Sequence, residues 1–199
     1  LKQLSEAYRK IRNTARFILG NLNGFDPNKD MVADDQLCEI DRWALDAVDE
    51  LLATATEAYE NFDFSRVYHE VHNFCVVEMS NFYLDVIKDR LYCSKADAES
   101  RRSAQTAMYK ILVQLTKIIA PVLVFTAQEI WSFIPKMPGI NKYVAFEDMG
   151  KAGTYLQGEA FEAKWSKIIA VRDDVKKALE QARAEKVIGA ALEAHITLY

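Results

Sequence analysis

Apolar residues recur at spacings of three and four along most of this chain, the pattern of helices with one buried face. The pattern predicts a first helix running to about residue 22, with Ser5 as its N-cap and a stop at "NLNG" around Gly24. "FDPNKDMVADD" (25–35) reads as a loop, and Asp34 or Asp35 as the cap of a long second helix reaching about residue 61. "DFS" (63–65) makes a turn, with Ser65 as a cap. A third helix then spans 66–92, its apolar positions being Val67, Val71, Phe74, Met79, Phe82, Val86 and Ile87. After the turn "CSKADAES" (93–100), a fourth helix starts near residue 97 and ends at Pro121, which lacks an N–H and clashes with the preceding turn. A fifth helical piece ends near Phe133.

Residues 135–158 hold Pro135, Pro138, Gly139, Gly150, Gly153 and Gly158 and read as a loop region. They suggest two domains, 1–150 and 151–199. In the second, a long helix is expected over 159–186, followed by "LEAHITLY" (192–199), whose alternation and β-formers predict a strand. A lone terminal strand has no partner in this chain. The expectation is therefore that it pairs with a distant part or that the chain is a piece of a longer protein. The fold class expected is mainly α.

Composition changes this picture little. Half the residues are apolar and 27% are charged, as in an ordinary globular protein. At 199 residues, folding should bury roughly 70% of the unfolded surface without staples. Cys38, Cys75 and Cys93 are odd in number and form no CxxC, so reduced thiols in the cytoplasm are expected, with neither a disulfide framework nor a metal site. No signal peptide is visible, and the longest apolar run, "IIAPVLVFTA" (118–127), is too short to span a bilayer.

Charge changes it more. The net charge is −4, yet residues 1–20 hold five cations against one acid, and residues 34–60 hold nine acids against one arginine. Residues 164–186 are again basic, with seven cations and four acids. Basic ends could face a polyanion while the acidic middle keeps the chain soluble.

The basic start is "YRKIRNTARF" (8–17). At about 100° per residue, Leu4, Ala7, Ile11, Ala15, Ile18 and Leu19 share one stripe. Arg9, Arg12, Asn13 and Arg16 share the other side, with Phe17 beside them and Lys10 peripheral. Guanidinium groups pair with phosphate bidentately and stack on bases. A neighbouring aromatic ring can take an unpaired base. A solvated basic face with Phe17 packed on a neighbouring helix fits the same pattern.

"SEAYRKIRNTARFILGNLNGFDP" (5–27) closely resembles the segment opening the anticodon-binding domain of class I aminoacyl-tRNA synthetases of the isoleucyl branch. The likeness continues in "DRWAL" (41–45), "AYENFDFSRVYHEVHNF" (58–74), "SNFYLDVIKDRLY" (80–92) and "IIAPVLVFTAQEIW" (118–131). "RDDVKKALEQARAEKVIGAALEA" (172–194) is similar to the bacterial-type C-terminal extension. Valyl and leucyl enzymes share the domain. The resemblance implies an up-and-down helical bundle followed by the start of an α/β subdomain, cut short. It also implies a non-catalytic piece that holds the anticodon stem-loop of tRNA(Ile) through Arg9, Lys10, Arg12, Asn13, Arg16 and Phe17. The parent enzyme would charge that tRNA with isoleucine using ATP. No HIGH-type or KMSKS-type motif occurs here, and "KMPG" (136–139) is only superficially like the second. ATP with Mg and a four-cysteine zinc module are thus expected only in the full-length enzyme. The implied partner is tRNA, with no DNA and no membrane, and the implied state a monomer. A helical protein-interaction module without an RNA role is the alternative from another class.

Other constellations have plainer explanations. His69, His72 and Cys75 lie three apart but lack a metal-site pattern, so Cys75 is expected in the core and the histidines at a helix edge. Asp34/Asp35 and Asp173/Asp174 suit capping and solvation better than catalysis. Asp85 can pair with Lys88, and Lys88 or Arg90 could support an RNA contact. Trp43, Trp131 and Trp165 read as packing anchors.

Overall fold

Seen in a computed structural model that describes residues 2–198, and side chains from Leu4 to Leu198, the chain is mainly helical. It divides into two units, Leu1–Leu156 and Gln157–Tyr199. The first contains α1 (Lys2–Asn21), α2 (Glu39–Glu60), α3 (Phe64–Asn73), α4 (Leu84–Val86), α5 (Lys88–Cys93), α6 (Glu99–Ile119) and α7 (Val124–Phe133). The second contains α8 (Glu159–Ala184).

The centre of the first unit is α6. Ser103 to Tyr109, Ile111, Leu112, Leu115, Thr116, Ile118 and Ile119 are all buried, so the helix has almost no solvent side. It packs on α1, α2, α5 and α7. Its polar side chains are spent on loops rather than on water. Ser103 accepts from the Cys38 N–H at 2.8 Å, and Thr106 accepts from the Val32 N–H at 3.0 Å. Gln105 donates to the Asn21 carbonyl at 2.9 Å. Ser103, Gln105 and Thr106 are thereby satisfied, which is what allows polar residues so deep in the core.

One carboxylate joins four elements. Asp41 in α2 is wholly buried. It receives two N–H bonds from Arg90 of α5, at 2.6 and 2.8 Å, and the Tyr83 hydroxyl at 2.8 Å. The Ser103 hydroxyl of α6 donates to the same carboxylate. Burial and the Asp41 charge together push the Tyr83 hydroxyl pKa well above its ordinary value, so it stays a donor. Arg90 is therefore a structural cation. The expectation that it could support an RNA contact fails because its guanidinium is already paired. Lys88, by contrast, is exposed and pairs with Asp85 at 2.8 Å, the contact expected from their spacing.

Several boundaries differ from the sequence reading. Ser5 caps nothing, because the helix runs through it from Lys2. Asp34 and Asp35 form a separate 3-10 turn, Asp34–Gln36, ahead of α2. Asp63, not Ser65, caps α3 by accepting from the Arg66 N–H at 3.0 Å. The expected helix over 66–92 is not uniform. Phe74–Tyr83 is π-helical, and Ile87 separates α4 from α5. Ser80 donates across that wider turn to the Cys75 carbonyl, five residues back, at 2.7 Å. The change of pitch resets which residues face inward: Phe82, Tyr83 and Leu84 are all buried, while Val86 is 47% exposed.

The end of α2 is strained. Phe62 has φ +58°, and the Asp63 N–H reaches back to the Ala58 carbonyl at 2.8 Å, a left-handed helix stop that glycine usually occupies. A side chain there costs roughly 1–2 kcal/mol.

In the loop region, Glu147 accepts from the Asn141 N–H and side chain at 2.7 and 2.8 Å and pairs with Lys117 at 3.1 Å. Lys136, in the stretch superficially like a catalytic loop, donates to the Trp131 carbonyl and lies 3.9 Å over the Trp131 ring. It is packing, not chemistry. Trp131 is fully buried, and Trp43 packs edge-on against Phe82 with centroids 4.8 Å apart. In the second unit Trp165 is buried, with the Phe161 ring 6.2 Å away.

No β-strand occurs among the described residues, so the predicted terminal strand is corrected. Ala191–Glu193 form a 3-10 turn and residues 194–198 are irregular; Tyr199 lies outside the described residues. Strand-forming residues alone do not make a strand, because its N–H and C=O groups need a partner ladder. No helix is long and apolar enough to cross a membrane among the described residues.

Two outcomes are expected. Asp41→Asn should lower the unfolding free energy by about 3–5 kcal/mol, since it takes the counter-charge from half-buried Arg90 at a wholly buried site; urea unfolding would measure it, and a loss under about 1 kcal/mol would refute the hub. Burial pushes the Cys75 thiol up to about 12, so at mildly alkaline pH a disulfide reagent should label exposed Cys93 quickly and Cys75 only on unfolding.

Candidate nucleic-acid interface

The first helix is fixed by one stripe. Ala7, Ile11, Ala15, Ile18 and Leu22 are buried, and Thr14, also buried, is bolted to the π segment through the Cys75 carbonyl and the Ser80 hydroxyl, both at 3.4 Å. Tyr8 meets Thr126 of α7 at 3.1 Å between hydroxyls. With that stripe held, the opposite side of α1 must face out.

Arg9, Lys10, Arg12, Asn13 and Arg16 are all exposed. Among the described residues none of these four cations forms an ion pair, whereas Arg66, Arg90, Arg102, Lys110 and Lys117 all do. Unpaired guanidiniums in a row repel one another and gain nothing for folding. The row is an electrostatic footprint of the kind that attracts a polyanion.

The predicted residues do not form a single cluster. Arg12 and Arg16 line a groove of about 670 Å³ between α1, the turn that follows it, and α7. Asn23, Gly24 and Phe25 form its end, and Thr126, Glu129, Ile130 and Phe133 its far wall. Gly24, at φ +74°, makes the sharp stop after α1 that keeps this end open. Phe25 is buried below, in ring contact with Tyr109 at 5.9 Å and capped by the Arg102 guanidinium. Lys10 lies on the other flank of α1, in a second groove shared with α3. Phe17 is half-buried and packs against the core, so it is a partial support rather than a free ring.

Sequence reasoning missed the α7 wall. Thr126, Glu129, Ile130 and Phe133 recur at helical spacing, and Phe133 is 69% exposed. An apolar residue that breaks an otherwise burying pattern was the available signal, but its pairing with Arg12 and Arg16 needs the tertiary fold. Cys38, Cys75 and Cys93 are free thiols in three different settings, respectively half-buried, buried and exposed, which does not suit a thiolate metal site.

A protein family described as the anticodon-binding domain of tRNA ligase matches residues 41–198. The chain belongs to that family. It is also similar over its whole length to isoleucine–tRNA ligases: 54% identical over 202 residues to that of Syntrophotalea carbinolica, 49% over 211 to that of Caldicellulosiruptor saccharolyticus, and 49% over 199 to that of Bacillus cereus strain G9842. The chain spans about a fifth of these relatives' length, 21–22% of each. The family match begins after α1, so the arginine row falls outside it and inside the match to the relatives.

Because Phe17 supports the helix, Phe17→Ala should cost about 1–3 kcal/mol of stability and Phe17→Leu less than about 1.5. Thermal melts of the two would check this; equal and negligible losses would mean the ring packs on nothing.

Proposed function

We propose that this chain holds the anticodon stem-loop of tRNA(Ile) as one part of a cytoplasmic isoleucine–tRNA ligase, a larger enzyme that joins isoleucine to its tRNA using ATP. The observation that carries the reading is the unpaired cation row of α1 above an open groove. Arg9, Arg12 and Arg16 engage loop phosphates, since bidentate guanidinium–phosphate pairs are strong and orienting. Asn13 offers an amide to base edges, and Lys10 and Phe17 flank the contact. Single-stranded loops are read in this way, by cations that position the backbone and by amides and rings that meet unstacked bases.

The chain supplies recognition and no bond-making chemistry. ATP with Mg, and a thiolate-bound zinc, belong in this reading to other parts of the ligase. The full-length relatives' name supports isoleucine over the sibling valine and leucine enzymes. Membership in an anticodon-binding family argues against a protein-interaction module.

Binding of an isoleucine anticodon stem-loop RNA across a salt series tests this. Affinity should fall steeply with salt, and Arg12→Ala with Arg16→Ala should reduce affinity by about tenfold or more and flatten the log–log slope by roughly 1–2. Stem-loops with valine or leucine anticodons should compete less well. An unchanged slope in the double variant would sink the proposed face.

A further inference from the structure

The second groove beside α1 carries features that the arginine row does not explain. It encloses about 680 Å³, with Lys10 on one wall and Phe64, Tyr68, His69 and His72 of α3 on the other. The rings fall into two groups, Tyr68 with the two histidines and Phe64 with Phe62, which lies just beyond the groove lining. Tyr68 stacks near-parallel on His72, 17° apart with centroids at 6.5 Å, and meets His69 edge-on at 5.4 Å. Phe64 meets Phe62 at 6.4 Å. Phe62 is 79% exposed and Phe64 49%.

Phe62 is the telling residue. It occupies the left-handed position at the end of α2, where glycine would fit without strain, and its ring is nevertheless turned to solvent. A strained backbone bearing a ring that meets Phe64 only edge-on and is mostly in solvent gains little for folding, which points to use in contact with something else. Aromatic faces beside a cation are what unpaired nucleotides require: every base has a π-face, and the phosphate that follows it needs a positive charge. Lys10 is exposed and, among the described residues, forms no ion pair. Among the described residues Glu6 is the one carboxylate lining the groove, and Lys10 lines it too.

We propose that the ring array Phe62, Phe64, Tyr68 and His72, with Lys10 opposite, is a stacking platform for unpaired nucleotides of the bound RNA. The site rests on the RNA-binding reading above and extends it: α1 becomes a ridge with a phosphate-binding groove on one flank and a base-stacking groove on the other. The occupant is single-stranded RNA because base-stacking on rings is tolerant of sequence, while the unpaired Lys10 adds the charge that a purely apolar partner would leave stranded.

The test uses the 199-residue chain and an isoleucine anticodon stem-loop RNA carrying 2-aminopurine in its loop. Phe62→Gly removes both the strain and the ring, so it should raise the unfolding midpoint while weakening RNA binding about tenfold, the scale of one lost base–ring stack. Tyr68→Leu should also weaken binding and remove the stacking-dependent quench of 2-aminopurine. A residue with only a structural role would not gain stability and lose affinity together. If both variants bind like wild type while Arg12→Ala with Arg16→Ala does not, the platform is overturned and the arginine reading stands. If the wild type fails to bind the RNA even at low salt, both are overturned.

Discussion

A buried negative charge organises the first unit. Asp41 could not sit inside the bundle alone, because an unpaired carboxylate out of water is far too costly. Its presence obliges Arg90, Tyr83 and Ser103 to converge on it. These partners come from three segments separated in sequence, so their meeting fixes how α5, the π segment and α6 lie against α2. The π segment is thereby held at one end by Tyr83, and at the other by the Thr14 bolt to α1. The placement of the arginine row is a remote consequence of where one aspartate finds its counter-charge.

The uneven charge of the chain has the same logic. The acidic stretch at 34–60 looks from composition like a solvating surface. Three of its acids, Asp41, Asp46 and Asp49, are buried. Asp49 accepts from the Gly153 and Tyr155 N–H groups at 2.8 and 2.9 Å and so pins the loop to α2. These acids do structural work, and Arg90, Arg102, Lys110 and Lys117 are committed to carboxylates of α2, its approach loop and the later loop. Among the described residues, Arg9, Lys10, Arg12 and Arg16 of α1 have no such partners. Net charge alone would have hidden this, since −4 averages a consumed set and an unspent one.

The helices were legible because burial imposes a period of 3.6, and α1, α2 and α7 each show it. The exposed arginines of α1 followed directly from that period. What could not be read were features set by tertiary partners. The π segment comes from local hydrogen bonding such as Ser80 to Cys75, which no apolar periodicity encodes. The expected strand at 192–199 rested on side-chain preference without a ladder to join. The Arg90 commitment to Asp41 spans 49 positions. Both grooves pair α1 with elements far along the chain, so their walls were invisible even though their central helix was not.

The geometry of α1 explains why one helix can serve several contacts. Its buried stripe is narrow because small residues, Ala7, Thr14 and Ala15, let the neighbours approach closely. A narrow seam leaves a wide outer face, and that face meets α7 on one side and α3 on the other. Residues four apart lie on the same flank. Arg12 and Arg16 therefore share the α7 groove, while Lys10, on the opposite flank, serves the α3 groove, with Arg9 and Asn13 on the crest between them. Two positions of difference in sequence, from Lys10 to Arg12, separate two surfaces of different chemistry. A substitution that moved a cation by two places would keep the composition and the net charge, yet transfer that charge from one groove to the other.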